Sequence, residues 1–437
     1  MNSTVQYTDM KDSGIKWIGS VPSHWHLHTL YQLVSQVKNK NKDLQEQNLL
    51  SLSYGKIKRK DINTNDGLLP ASFDGYNIIE AGDIVLRLTD LQNDHTSLRV
   101  GQATERGIIT SAYTTLRPVN PAHSRYLYYL IHAFDLKKGF YGMGSGVRQG
   151  LNYDEVKELR VVIPSQNEQD NIVKYLDSVC DHIDTLIEGA KSYVDEYLQW
   201  KSVVIYEATT KGLNSNVQMR DSGIKAIGNV PIGWAIPKTL NCLSMAITDG
   251  PHTTPEIYDS GIPFVSAEAV SCGNGRIAFD HIRGYISEAF YHECCKKYVP
   301  QKDDVYMIKS GATTGKVAIV DTDIKFTIWS PIAVFRADTN RIIPRFLFYA
   351  LQSPSYQTQV QLGWTFGTQQ NIGMRTLETL KICLPPLNEQ AEIVNYLNRK
   401  CDGIDSLIQE KQDLIYELEQ YKRSLIYETV TGKRKVV

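Results

Sequence analysis

The stretch Asp12-Ser-Gly-Ile-Lys-Trp-Ile-Gly-Ser-Val-Pro-Ser-His-Trp25 returns later in the chain as Asp221-Ser-Gly-Ile-Lys-Ala-Ile-Gly-Asn-Val-Pro-Ile-Gly-Trp234. A second stretch, Asn167-Glu-Gln-Asp-Asn-Ile-Val-Lys-Tyr-Leu176, returns as Asn388-Glu-Gln-Ala-Glu-Ile-Val-Asn-Tyr-Leu397. The offset of this second pair persists to Ile205-Tyr-Glu207 and Ile426-Tyr-Glu428. Matches this long and in the same order make the chain a tandem duplication, and a long-period repeat constrains a fold before any local pattern does. The second pair lies farther apart than the first, so the second copy carries a short net insertion between its matched stretches.

Outward from these anchors each copy reads alike. The leads, residues 1–25 and 213–234, are punctuated by Gly and Pro and end on a Trp, which reads as turns with one anchoring aromatic. Next come mixed domains, residues 26–160 and 235–380. Short β-rich runs such as Asp83-Ile-Val-Leu-Arg-Leu88 and Lys316-Val-Ala-Ile-Val320 are separated there by Gly and Asp. Ser124-Arg-Tyr-Leu-Tyr-Tyr-Leu-Ile131 and Pro344-Arg-Phe-Leu-Phe-Tyr-Ala-Leu351 read as short buried helices. Beyond such framework positions the two domains hardly resemble each other, as expected of binding modules with different targets on a shared scaffold.

Helical regions, residues 161–212 and 381–437, complete the copies. Ile183, Leu186, Ala190, Tyr193, Tyr197, Trp200 and Val204 step by three and four, as do Ile404, Leu407, Lys411, Leu414, Leu418, Tyr421 and Leu425. That spacing predicts a heptad seam three repeats long. The expected fold class is α+β: two mixed α/β domains joined by two long antiparallel helices paired as a coiled coil, with pseudo-two-fold symmetry from the duplication. Ile183 to Tyr206 is about 24 residues, or roughly 36 Å of helix. One turn of B-DNA, the usual separation of half-sites, is about as long.

Composition is permissive. The chain has 437 residues, 42% hydrophobic and 22% charged, ordinary for two or three globular domains. No apolar run approaches the roughly 18 residues of a membrane span. The start, Met1-Asn-Ser-Thr-Val-Gln-Tyr-Thr-Asp9, has neither the basic nor the apolar stretch of a signal peptide. Seven cysteines without disulfide-like or zinc-like spacing fit reduced thiols in the cytoplasm. Net charge is −1, but residues 26–160 hold 17 basic and 14 acidic side chains, whereas 161–212 hold 4 and 9. A sequence reader need not be basic throughout when partners supply phosphate contacts.

Several of these motifs resemble type I restriction–modification specificity subunits. They are the lead Asp-Ser-Gly-Ile-Lys-x-Ile-Gly-x-Val-Pro, the helix starts Ile163-Pro-Ser-Gln-Asn-Glu-Gln169 and Leu384-Pro-Pro-Leu-Asn-Glu-Gln390, and the Lys-Gly and Thr-Gly helix ends. Within the second domain, Asp249-Gly-Pro-His-Thr-Thr-Pro255, Gly261-Ile-Pro-Phe-Val265 and Ser310-Gly-Ala-Thr-Thr-Gly-Lys-Val-Ala-Ile319 carry the same likeness. The resemblance implies that each mixed domain is a target-recognition domain reading one part of a bipartite double-stranded DNA target. The helices would set the gap and carry two adenine methyltransferase subunits, to which restriction (motor and nuclease) subunits attach. It implies no cofactor in this chain: S-adenosylmethionine, ATP and Mg2+ would belong to the partners, in a cytoplasmic complex without membrane contact. The rival from another class is a non-catalytic coiled-coil adaptor with two protein-binding heads. The Gln- and Lys-bearing loops and the matched leads favour DNA.

Reading bases needs paired donors and acceptors: Arg or Lys for guanine, Asn or Gln for adenine. In the second domain the candidates are Lys309, Ser310, Thr313, Thr314 and Lys316 in one Gly/Ser/Thr loop, His252, Thr253 and Thr254 in another, and Thr368, Gln369 and Gln370 in a third. In the first domain, Arg148 and Gln149 occupy the loop aligned with that third one, and Arg87 and Thr89 match Ile308 and Ser310. Lys56, Lys58, Arg59 and Lys60, the most basic run of the chain, are candidates to track phosphates.

Catalytic motifs fail. Gly311-Ala-Thr-Thr-Gly-Lys316 is one residue short of a phosphate loop, with Val317 where a Mg2+-binding Ser or Thr belongs. Gly142-x-Gly-x-Gly146 lacks the strand–turn–helix context of a dinucleotide site. Leu384-Pro-Pro-Leu387 lacks both the polar and the aromatic residue of an adenine methyltransferase motif. No metal site is expected either. His24, His26 and His28 alternate with Trp25 and Leu27 as a framework strand would, and Cys272, His281, His292 and Cys294 are irregularly spaced for zinc.

Overall fold

The computed structural model describes residues 6–63, 72–94, 96–143, 150–366 and 370–436. The chain forms two compact units, Met1–Lys191 with Asp413–Val437, and Ser192–Gln412. Two long helices, Gln166–Thr210 and Leu387–Val430, each contribute to both.

The first unit is built on a four-stranded antiparallel sheet in the order Val34–Gln36, Thr114–Pro118, Ile84–Leu86, Val100–Gln102. Ile84, Val85 and Leu86 are all buried, so this central strand reads as a continuous apolar run. The helix Ser124–Leu136 lays Tyr126, Leu127, Leu130 and Ile131 into the core formed with the sheet. The second unit repeats the architecture: Thr248–Asp249, Ile332–Phe335, Val305–Ile308, Val317–Ile319, again antiparallel, with the helix Pro344–Gln352 supplying Phe346, Leu347 and Leu351. Two domains with little sequence in common thus share one sheet order.

A matched brace holds each sheet. Asp83 is buried and accepts the Glu80 N–H, while Arg117 donates both arms of its guanidinium to the carboxylate at 2.8 and 2.6 Å. Asp304, 1% exposed, accepts the Gln301 N–H and is forked by Arg336 at 2.7 and 2.8 Å. A bidentate guanidinium satisfies a carboxylate that burial would otherwise penalise heavily.

The leads close the helix ends. Ile15, Ile18, Val21 and Trp25 share a core with Leu425, Ile426 and Val430 at the end of the second long helix, where the Tyr427 hydroxyl donates to the Trp17 carbonyl at 2.9 Å. In the other unit Ile227, Val230 and Trp234 share a core with Ile205 and Ala208, and the Tyr206 hydroxyl donates to the Ile227 carbonyl at 3.1 Å. Both helices terminate on a glycine with positive φ, Gly212 at 78° and Gly432 at 71°. A Cβ there would press on the lead: at Gly212 it would lie 3.2 Å from the Trp234 ring, and at Gly432 it would collide with Pro22. The strand His26–Thr29 pairs with Arg160–Ile163, so His26 and His28 sit on a framework strand, whereas His24 lies in the preceding turn with Nε2 2.9 Å from Glu168.

The helix seam departs from expectation. Ile183, Ala190 and Ile404 are buried, but Leu186, Tyr193, Trp200, Leu414 and Tyr421 are exposed. Ile187 and Ile408 are buried in place of the i+3 residues, while Lys201 and Lys422 turn inward to carboxylates. Within the second unit Lys201 reaches Asp405 at 2.7 Å, and within the first Lys422 reaches Asp184 at 2.6 Å. No described helix is long and apolar enough to cross a membrane.

Candidate nucleic-acid interface

In the second unit the hairpin of Val305–Ile308 and Val317–Ile319 projects a loop of residues 309–316. Gly311 and Gly315 take positive φ, 109° and 94°, where side chains are strained. The Thr314 hydroxyl donates to the Gly311 carbonyl at 2.7 Å and Gln370 accepts the Gly311 N–H through its carbonyl at 3.0 Å. The Ile372 N–H donates to the Lys309 carbonyl at 2.9 Å. Two loops singled out in the sequence therefore lie side by side, Gln370 against the 309–316 turn.

The third loop joins them through a carboxylate. Asp249, 1% exposed, lies 3.3 Å from Lys309 Nζ and 3.3 Å from His252 Nε2, and it also pairs with Lys297. Lys309 is consequently a mostly buried anchor that shares the Asp249 carboxylate with Lys297. His252, Thr253, Thr254, Lys316 and Gln370 are exposed, while Ser310, Thr313 and Thr314 are half-buried. This outward set offers donors and acceptors suited to base edges, plus one cation suited to phosphate.

The first unit repeats the same rung with other residues. The hairpin of Ile84–Leu86 and Val100–Gln102 projects a loop that begins at Arg87, and the Leu151 N–H donates to the Leu88 carbonyl at 2.9 Å. Leu151 and Leu88 align with Ile372 and Lys309, so hairpin and downstream loop meet at one equivalent hydrogen bond in both domains. Thr89 is exposed, and Arg87 is half-buried with Nη2 3.5 Å from Asp94. The N–H groups of Ser97 and Thr96, with the nearby Arg99 charge, hold the Asp94 carboxyl well below the usual range. Arg148, Gln149, Thr368 and Gln369 lie outside the described residues.

The basic run forms a hairpin, Leu50–Ser53 with Lys56–Arg59. Arg59 donates to Glu105, its Nε at 2.7 Å, and Lys56 lies 3.7 Å from Asp184. Lys58 and Lys60 are exposed with no ion pair among the described residues. Two anchoring residues had no distinguishing sequence signal: Asp249, embedded in a motif read for its His and Thr residues, and Arg99, a lone arginine in a polar stretch.

Among the described residues no group of three or more His, Cys, Asp or Glu side chains converges as a metal site would. The family of the type I restriction modification DNA specificity domain matches twice, at residues 34–195 and 253–417. A chain of Methanocaldococcus jannaschii assigned as the type I restriction enzyme MjaX specificity subunit is 24% identical over 413 residues, 91% of each chain. The type I restriction enzyme MjaVIII specificity subunit of the same organism is 22% identical over 89% of this chain and 84% of that one. A solved chain from work on assembly and conformational transition of the type I R-M system matches with TM-score 0.63 over 94% of this chain and 98% of that one. Its identity is 15%, a likeness of fold alone.

Proposed function

The chain belongs to the type I restriction–modification DNA specificity family, and from that premise we propose how it reads and assembles. It is the DNA-recognition subunit of such a complex and not an enzyme. The first mixed domain reads one part of a bipartite target, through Arg87, Thr89, Arg148 and Gln149. The second reads the other part, through His252, Thr253, Thr254, Ser310, Thr313, Thr314, Lys316 and residues 368–370. Lys58 and Lys60 contact phosphates beside the first part. Lys309 serves mainly as an anchor, because its side chain is largely buried against Asp249, and the more exposed Lys56 and Arg59 contribute less than Lys58 and Lys60.

The observation that carries this reading is the shared rung, Leu151 to Leu88 and Ile372 to Lys309, which ties the hairpin to the downstream segment through one equivalent hydrogen bond in both domains. A common frame with divergent loops suits one class of ligand with two different sequences. The long helices set the gap between the parts and carry two methyltransferase subunits. Exposed Tyr193, Leu198, Trp200 and Val203 in one unit, and Leu186, Leu414, Tyr416 and Tyr421 in the other, supply apolar surface for such a partner. S-adenosylmethionine, ATP and Mg2+ act in the partner subunits, and the complex works in the cytoplasm.

The test is to co-express the chain with its cognate methyltransferase subunit and map methylated adenines across the host genome. A split motif with a fixed gap, lost when this chain is omitted, is the expected result. An assembled complex with no such methylation would instead favour a protein-binding adaptor.

A further inference from the structure

We infer that Arg99 is a positioning residue that sets the shape of the first domain's reading loop, from Arg87 to Asp94. The inference rests on the reading above, in which that loop meets DNA.

Arg99 is 0% exposed. A buried guanidinium is tolerated only when its donors are satisfied. Here Nη1 donates to the carbonyls of Arg87 at 3.1 Å and Thr89 at 2.7 Å, and Nη2 to those of Asp90 at 3.1 Å and Asp94 at 2.5 Å. Nε donates to the Tyr141 hydroxyl at 3.0 Å, which itself donates to the Asp94 carbonyl at 2.8 Å. Four carbonyls of one surface loop therefore turn inward onto a single planar group. Surface loops ordinarily leave such carbonyls to water, so this loop takes its shape from a residue at its base.

The comparison between domains separates this role from a general folding role. The residue paired at the same rung of the second hairpin is Lys316, since Arg87 N–H donates to the Arg99 carbonyl and Ile308 N–H to the Lys316 carbonyl, both at 2.9 Å. Lys316 is exposed, and its shorter loop is held by Gly311, Gly315 and Thr314 instead. The shared sheet needs no buried arginine; the longer loop of the first domain does. Two of the carbonyls held, those of Arg87 and Thr89, belong to residues assigned to DNA. Base discrimination depends on placing such side chains to within about 0.5 Å. A lysine at position 99 keeps the charge but cannot present five donors in one plane.

The experiment uses the full chain, co-expressed with its methyltransferase subunit, carrying Arg99→Lys, with methylated adenines mapped over the host genome. The expected result is relaxed base preference in the half of the motif read by the first domain, with discrimination at one or more positions down about tenfold. The other half stays unchanged. An unaltered motif at full methylation would overturn the inference, and so would a uniform fall in methylation with both halves intact, the mark of a purely structural role. Should Arg99→Lys yield no assembled complex, Tyr141→Phe weakens the same clamp at one end: relaxation confined to the first half supports the inference, and an unchanged motif overturns it. Failure of the underlying reading is seen separately, as a wild-type complex with no split motif.

Discussion

His132 offers a quantitative test of the first unit's core. It lies on the helix Ser124–Leu136, 8% exposed, stacked on Tyr128 with ring centroids 5.5 Å apart. Burial, reinforced by the charges of Lys422, Arg125 and Arg423, pushes its pKa from 6.5 down to about 4. A histidine with a lowered folded pKa contributes stability that is present above the unfolded value and lost as pH falls through the folded one. At about 1.36 kcal/mol per pKa unit the full loss is about 3 kcal/mol, of which about 2 kcal/mol falls between pH 7 and pH 4.5. The matching position in the second unit is Gln352, so His132→Gln substitutes a polar residue the scaffold already uses there. At pH 7 it sacrifices the ring stacking, about 1 kcal/mol. At pH 4.5 it is more stable than the wild type by about 1–2 kcal/mol, the linkage loss minus that stacking. Asp135, whose carboxyl burial pushes up to about 6, acts in the opposite sense and is present in both proteins, so it cancels in the comparison. Urea unfolding at the two pH values, followed by hydrogen exchange of the peptide covering 124–136, measures the difference. Equal pH sensitivity in the two proteins would refute the reasoning.

Three further outcomes are expected. Arg336→Met strands the Asp304 carboxylate, 1% exposed, and destabilises the second unit by about 3–5 kcal/mol in urea unfolding; a change below about 1 kcal/mol would deny the brace its role. A seven-residue insertion after Tyr197, roughly two helical turns, lengthens the gap in the methylated motif and leaves both halves intact, and an unchanged gap would remove the spacing role from the helices. Replacing Lys58 and Lys60 with Ala weakens binding to any duplex and lowers the salt slope by about 2, while Arg59→Ala does less because Glu105 already pairs it. An unaltered slope in the double variant would make the run ordinary solvated surface.

The duplication, the leads, the long helices and the strand at His26 were legible because each is written in local pattern or repetition. The common sheet order was not: its central strands pair segments well separated in the sequence, such as Ile84 with Leu116 and Val305 with Phe335, through apolar residues that need only be apolar. The side of each helix that packs was ambiguous for a specific reason. Leu186 and Ile187, or Tyr193 and Val194, are adjacent apolar residues that fit i+3 or i+4 spacing equally well. Lys201 looks polar until Asp405 is brought to it. In the candidate interface, the loops were singled out by composition, but the residues that anchor them, Asp249 and Arg99, work through buried contacts with residues distant or unremarkable in sequence.

Independence of the two readers is tested most directly by replacing residues 26–160 with the corresponding domain of another specificity subunit and mapping methylated adenines in the assembled complex. Two separate readers predict that one half of the motif changes while the other half and the gap remain. A change in both halves, or in neither, would contradict the assignment of one target half to each domain.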